Sequence, residues 1–122
     1  MQLEGVVQHG HNRGKHLGFP TINFPLQQAV DEGIYVSHIT INDVQYNALT
    51  FIGAAKTFHE TEVFAETYVF DFAENVYGKS VTVSLLKKLR DNQKFDSEQA
   101  LIAQMERDKK QAEEYFNQQI NE

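Results

Sequence analysis

Apolar and polar positions alternate along the first two-thirds of the chain and then change period. Leu3 to His9 carries β-formers at Val6 and Val7 and stops at Gly10, which predicts a first strand. Gly33 to Ile41 (GIYVSHITI) and Val44 to Ile52 (VQYNALTFI) are dense in β-branched and aromatic residues. Asn42 and Asp43 between them tolerate the left-handed backbone of a tight hairpin. Val63 to Phe72 (VFAETYVFDF) reads as a further strand, with Phe64, Glu66, Tyr68, Phe70 and Phe72 on one face and Ala65, Thr67, Val69 and Asp71 on the other. Ser80 to Leu86 alternates with Val81, Val83 and Leu85 together. From Asp96 or Ser97, either able to cap, Leu101, Met105, Ala112, Tyr115 and Phe116 fall at helical spacing. This predicts an amphipathic helix over about 97–118, with bounds good to about two to four residues. Strands without intervening helices pair antiparallel. Closing them into a barrel removes exposed edges, leaving the helix to cover one end or side.

The whole chain, 122 residues, suits one domain, with the barrel over about 1–95. Cysteine is absent, which excludes disulfides and thiolate metal sites. No apolar run approaches the roughly 18 residues of a membrane helix, and MQLEGVVQHG lacks a cationic leader with an apolar stretch behind it. A reducing, cytoplasmic setting fits. The net charge of −6 argues against long nucleic acid, whose binding rests on phosphate neutralisation. The charge is uneven, however. Residues 86–95 carry Lys87, Lys88, Arg90 and Lys94 against Asp91, and residues 1–23 carry Arg13 and Lys15 against Glu4. Two small basic islands suit a compact anion, or else are solvated surface.

Residues 10–23, GHNRGKHLGFPTIN, place three glycines and two cations where a backbone could approach an anion closely. The segment is no P-loop: three residues rather than four separate Gly10 from Gly14-Lys15, and His16 stands where Ser or Thr is needed. Gly10, Gly14 and Gly18 are evenly spaced and no βαβ unit follows, so it is no dinucleotide fingerprint either. The His-x-Gly-His pattern of nucleotidyltransferases fails at Gln8. His9, His11 and His16 lack the regular spacing of a metal site. If Thr21 to Asn23 is extended, the Thr21 hydroxyl and Asn23 carboxamide face the same way, as neutral oxygen donors for a hard cation already bound to phosphates. They would equally serve a turn that bonds its own backbone.

Taken with GIYV at 33–36, FIG at 51–53, AETYVFDF at 65–72, VYGKSVTV at 76–83 and LRDNQKFDS at 89–97, this segment resembles the riboflavin kinase (flavokinase) family. Members occur alone or as the C-terminal half of bacterial bifunctional FAD synthetases. The resemblance implies a six-stranded antiparallel Greek-key barrel with a C-terminal helix. It also implies transfer of the ATP γ-phosphoryl group to the riboflavin 5′-hydroxyl, giving FMN and ADP. It assigns Mg²⁺ ligation to Thr21 and Asn23 and general-base duty to Glu66. Nucleotide contacts fall on Gly10, Lys15, Val69, Asp71 and Tyr77, and flavin contacts on Arg90, Gln93 and Phe95. Lys56-Thr57-Phe58 departs from the family's usual Pro-Thr-Phe, and a customary proline is absent around Val30 to Glu32. The likeness covers no adenylyltransferase half, so FAD synthesis is not expected of this chain; such a domain would precede it in a longer protein. The competing reading is a flavin- or nucleotide-binding barrel without turnover, and a more remote one is a barrel for single-stranded nucleic acid.

Overall fold

Asn42 and Asp43 do adopt left-handed backbone, with φ of 52° and 66°. That geometry matches the twist of the strands they join: β3 (Gly33–Ile41) and β4 (Val44–Lys56), paired from Ile41–Val44 to Gly33–Ile52. The structure, a computed structural model, describes residues 1–8, 21–56, 61–72 and 74–120. Among these residues the remaining elements are β1 (Gln2–Val6), β2 (Thr21–Pro25), β5 (Thr61–Val69), β6 (Ser80–Arg90) and the helix α1 (Glu98–Ile120). The strands form one antiparallel sheet in the order β1-β6-β3-β4-β5-β2. The meander β3-β4-β5 with β6 returning beside β3 is a Greek key. Sheet edges β1 and β2 meet where Gln8 N–H donates to the Asn23 carbonyl at 2.7 Å, which nearly closes the barrel. Pro25 lies on the β2 edge, and the backbone bond to β5 is made by its neighbour Leu26, whose N–H donates to Val63. The missing N–H of Pro25 therefore costs the ladder nothing.

Leu3, Phe24, Ile39, Ile41, Ile52 and Val83 fill the interior, all essentially without solvent contact. Three hydroxyls share that interior. Ser37 Oγ and Thr50 Oγ1 are 2.8 Å apart, and Thr50 Oγ1 and Thr67 Oγ1 are 2.9 Å apart. Each buried hydroxyl has a partner on the neighbouring strand, so none is stranded in apolar surroundings. The chain β3–β4–β5 is thereby stitched from inside.

Opposite pairs on the outer face follow from register. One row is Ile34, Phe51, Glu66 and Asn23, and the next is Val36, Leu49, Tyr68 and Thr21. Helix α1 lies over this face, with Ala112 and Phe116 buried against Val36, Leu49 and Phe70. His38 stacks on Phe116 with ring centroids 5.6 Å apart.

The structure corrects several boundaries. β5 ends at Val69, and Asp71 sits in a left-handed turn with φ 58°. Strict alternation therefore stops there. Phe70 packs under α1, whereas Phe72 packs inward against Tyr46, ring centroids 4.9 Å apart. β6 runs past Leu86 to Arg90 with two register shifts against β3. α1 is capped by Ser97 rather than Asp96: the Ser97 Oγ accepts the Ala100 N–H at 3.1 Å. The first strand ends at Val6, Gln8 forms an isolated bridge, and His9 lies outside the described residues.

Two outcomes follow from this packing. A Cβ on Gly5 would lie 2.2 Å from Cδ2 and 2.9 Å from Cβ of the buried Phe24 ring. Gly5→Ala is expected to destabilise the fold by about 1–3 kcal/mol, measured by urea unfolding. Burial pushes the His38 pKa below its ordinary 6.5, opposed in part by a hydrogen bond with Asn47. Above 6.5 the imidazole is neutral in both states. Below it the unfolded chain takes up a proton that the folded chain resists, so stability falls as pH drops through this value. The decrease in Tm between about pH 7.5 and about pH 5.5 should be smaller in His38→Gln than in the wild type.

Candidate functional site

Rows of outward side chains become a cavity wherever something stands over them. Here that cover is the N-terminal half of α1 and the segment leading into it. The result is a cavity of about 540 Å³, floored by Ile34, Leu49, Phe51, Glu66, Tyr68 and Thr21. Leu101, Met105 and Asp108 from α1 and residues 92–95 from the preceding segment complete the wall. The volume and the mixture of apolar surface with a few polar groups suit a small organic molecule.

At one end the Thr21 hydroxyl donates to Glu66 Oε1 at 3.1 Å. Glu66 is 8% exposed. Asn23 lies directly opposite it in the ladder and is buried, without being part of the cavity wall. The β2–β5 register is what brings these three side chains to one face. A hydroxyl that donates to a carboxylate keeps lone pairs for a cation.

At the other end stands Arg90. Two β-bulges in β6 precede it; together they shift the register against β3 by two residues, so Arg90 keeps its outward parity and lands opposite Ile34 at the cavity. Bulges are common beside binding sites. The guanidinium forms a bidentate pair with Asp108: Nε donates to Oδ1 at 2.9 Å and Nη2 to Oδ2 at 2.7 Å. Its Cζ lies 5.9 Å from the Phe95 ring centroid. Asn92 Nδ2 donates to the Ile52 carbonyl at 3.1 Å and ties the segment to β4.

The structure thus gathers Thr21, Glu66, Arg90, Gln93 and Phe95 around one cavity, with Asn23 beside Glu66. It does not bring Val69, Asp71 or Tyr77 there. Val69 faces the barrel interior, Asp71 is exposed in its turn, and Tyr77 is 57% exposed near Asn75. Gly10 and Lys15, His9, His11 and His16, Thr57 and Phe58 lie outside the described residues. Asp108 escaped the reading of the sequence. Its signal was a charged residue on the apolar stripe of the helix, three after Met105 and four before Ala112. A wider groove of about 800 Å³ runs along the β1–β2 seam, but among the described residues its lining has no aromatic ring and only Glu4 to titrate.

The family model described as Flavokinase: Riboflavin kinase matches residues 1–116. The chain belongs to the riboflavin kinase family. A bifunctional riboflavin kinase/FMN adenylyltransferase from Bacillus subtilis (strain 168) is 34% identical over 121 residues, covering 94% of this chain and 38% of that protein. The enzyme of the same description from Escherichia coli (strain K12) is 34% identical, covering 93% of this chain and 37% of its own. A crystal structure described as a macrolide-efflux protein from Streptococcus pneumoniae superposes with a TM-score of 0.81 at 35% identity, covering 89% of this chain and 37% of that one. The chain therefore spans well under half the length of these relatives. No described helix is long and apolar enough to cross a membrane. Six antiparallel strands in a nearly closed barrel with one C-terminal helix are what the family resemblance led one to expect.

Proposed function

We propose that this chain is a cytoplasmic riboflavin kinase domain that transfers the γ-phosphoryl group of ATP to the 5′-hydroxyl of riboflavin. The observation that carries the reading is the shared cavity. A carboxylate oriented by Thr21 stands at one end, and a flat platform of Phe95 backed by Arg90 stands at the other. The isoalloxazine ring would lie toward Phe95 and Gln93, with the ribityl chain reaching toward Glu66. Glu66 accepts the 5′-hydroxyl proton as that oxygen bonds to the γ-phosphorus. The bond from phosphorus to the bridging oxygen breaks, and ADP leaves with the electron pair.

Thr21 and Asn23 would hold Mg²⁺, which supplies charge neutralisation on the phosphates. The donor set fits a cation that arrives with its nucleotide. Both side chains are neutral, and the described residues contain no cluster of three His, Cys, Asp or Glu able to hold a metal. Gly10 and Lys15 would supply donors to the phosphates, with Val69, Asp71 and Tyr77 as further nucleotide contacts. Supporting this placement, the Gly78 N–H donates to Val7 O at 3.0 Å, so the Tyr77 turn adjoins the strand that leads into the glycine-rich segment. With its side chain in the core, Val69 would act through its backbone. The relatives' names pair riboflavin kinase with FMN adenylyltransferase; adenylyl transfer would need a second unit beside this barrel.

Incubation with riboflavin, ATP and Mg²⁺ should give FMN by chromatography. Glu66→Gln should lower kcat by about 10² to 10⁴ while ATP still binds. Wild-type turnover in that variant would remove Glu66 from the mechanism, and riboflavin binding without product in the wild type would favour a non-catalytic module. Mg²⁺ titrated into the protein alone should show no micromolar binding, whereas ADP with riboflavin should bring saturable binding.

A further inference from the structure

Arg90 looks at first like a donor waiting for a flavin edge, but its hydrogen bonds run elsewhere. A guanidinium carries five N–H groups. Three are committed within the protein: Nε and Nη2 to Asp108, and Nη1 to the Asp91 carbonyl at 3.1 Å. Asp108 is 1% exposed and accepts a third hydrogen bond from Gln104 Nε2 at 3.0 Å. Gln104 is held in turn by Arg107, whose Nη2 donates to Oε1 at 2.8 Å. Three helix side chains therefore fix one guanidinium in place and orientation, and Phe95 lies against it. The seven residues 91–97 connect this clamp to the helix cap and carry the cavity wall at 92–95.

We infer that Asp108 is a positioning residue for the flavin site: it pins Arg90, and Arg90 serves the site chiefly by holding Phe95 where a flat ring stacks. This rests on the kinase reading for the identity of the ligand. It explains why arginine stands at position 90. A bidentate carboxylate needs a planar fork, which lysine lacks, and the fork's cationic carbon also lies over the Phe95 ring. It also assigns α1 a task beyond packing. The helix half that carries Ala112 and Phe116 covers the sheet, and the half that carries Gln104 and Asp108 sets the geometry of the binding wall.

The test uses the whole chain, with riboflavin as the probe and FMN formation as the assay. Asp108→Asn keeps the side chain's size and removes its charge. The KM and Kd for riboflavin should rise about tenfold or more, as expected for loss of a charge-assisted pair, while kcat and the KM for ATP change by less than about threefold. Asp108→Glu should recover part of the loss. A cycle of Arg90→Lys, Phe95→Leu and the double variant should be non-additive, the double variant binding riboflavin about as weakly as Phe95→Leu alone. If Asp108→Asn does not fold, as judged by circular dichroism, Gln104→Leu removes only one bond to Asp108 and should raise the riboflavin KM by a smaller factor with kcat kept. An unchanged riboflavin KM in the folded variants overturns the inference. Additive losses for Arg90 and Phe95 overturn it too, because they would mean Arg90 meets the ligand itself. A wild-type chain that makes FMN while Asp108→Asn matches it sinks the inference and spares the kinase reading; a wild type that neither binds riboflavin nor forms FMN sinks both.

Discussion

Thr67 turns its hydroxyl into the barrel and hydrogen-bonds Thr50, which bonds Ser37 in turn. That chain fixes the parity of β5, and the parity decides the site. Side chains alternate with period two, so a slip of one residue would send Thr67 outward and bury Glu66 among Leu3, Phe24 and Ile52. An unpaired carboxylate in such a core is costly, and the bond between Thr50 and Thr67 would be lost at the same time. With Thr67 inside, Glu66 and Tyr68 must face out, and the β2 register then sets Asn23 and Thr21 opposite them. The polar interior is thus tied directly to the placement of the proposed base.

The outer face of a barrel is ordinarily wet. Here one helix divides its apolar stripe between two tasks. Ala112 and Phe116 bury against the sheet, while Leu101 and Met105, two to three turns earlier, stand over open space and wall the cavity. Such a division needs the helix to be held at its N-terminal half by something other than close packing. The Arg90–Asp108 pair provides that tie. A buried ion pair is a poor source of net stability, since desolvation offsets much of its attraction. Its geometry is specific, however, and specificity of position is what the cavity wall requires.

Much of this was legible in the chain itself, and what was missed has physical causes. Asn42-Asp43 between two β-rich runs announced the hairpin because few residue types tolerate its dihedral angles. Alternation over 63–69 grouped Glu66 with Phe64 and Tyr68 on one face because β5 is regular there, but which face looks outward depends on the partners of β5 and has no local signal. Alternation failed at Asp71, whose left-handed backbone turns Phe72 inward, and periodicity carries no warning of such a reversal. The bulges of β6 were equally silent, since an extra residue in one strand shows only against its partner. Asp108 was visible as a charge in an apolar stripe. Its partner was not, because Arg90 lies 18 positions away and a salt bridge between a strand end and a helix leaves no local pattern.

Charge finally separates the two ends of the proposed reaction. The guanidinium at the Phe95 end is already matched by the Asp108 carboxylate at hydrogen-bond distance, so it offers little unbalanced attraction to an anion. The opposite end carries the Glu66 carboxylate, which repels one. Lys94 also lines the Phe95 end and Glu32 adds a carboxylate, so the lining offers a triphosphate no net positive charge. The cations of the glycine-rich segment that precedes Thr21 in the chain would have to supply it. The cavity itself suits a flat, uncharged molecule with hydrogen-bonding edges and a hydroxyl tail. Riboflavin has that chemistry before reaction and loses it afterwards, because FMN carries a phosphate. In the proposed reaction that phosphate forms at the end held by the Glu66 carboxylate, and the repulsion between them gives the product a reason to leave.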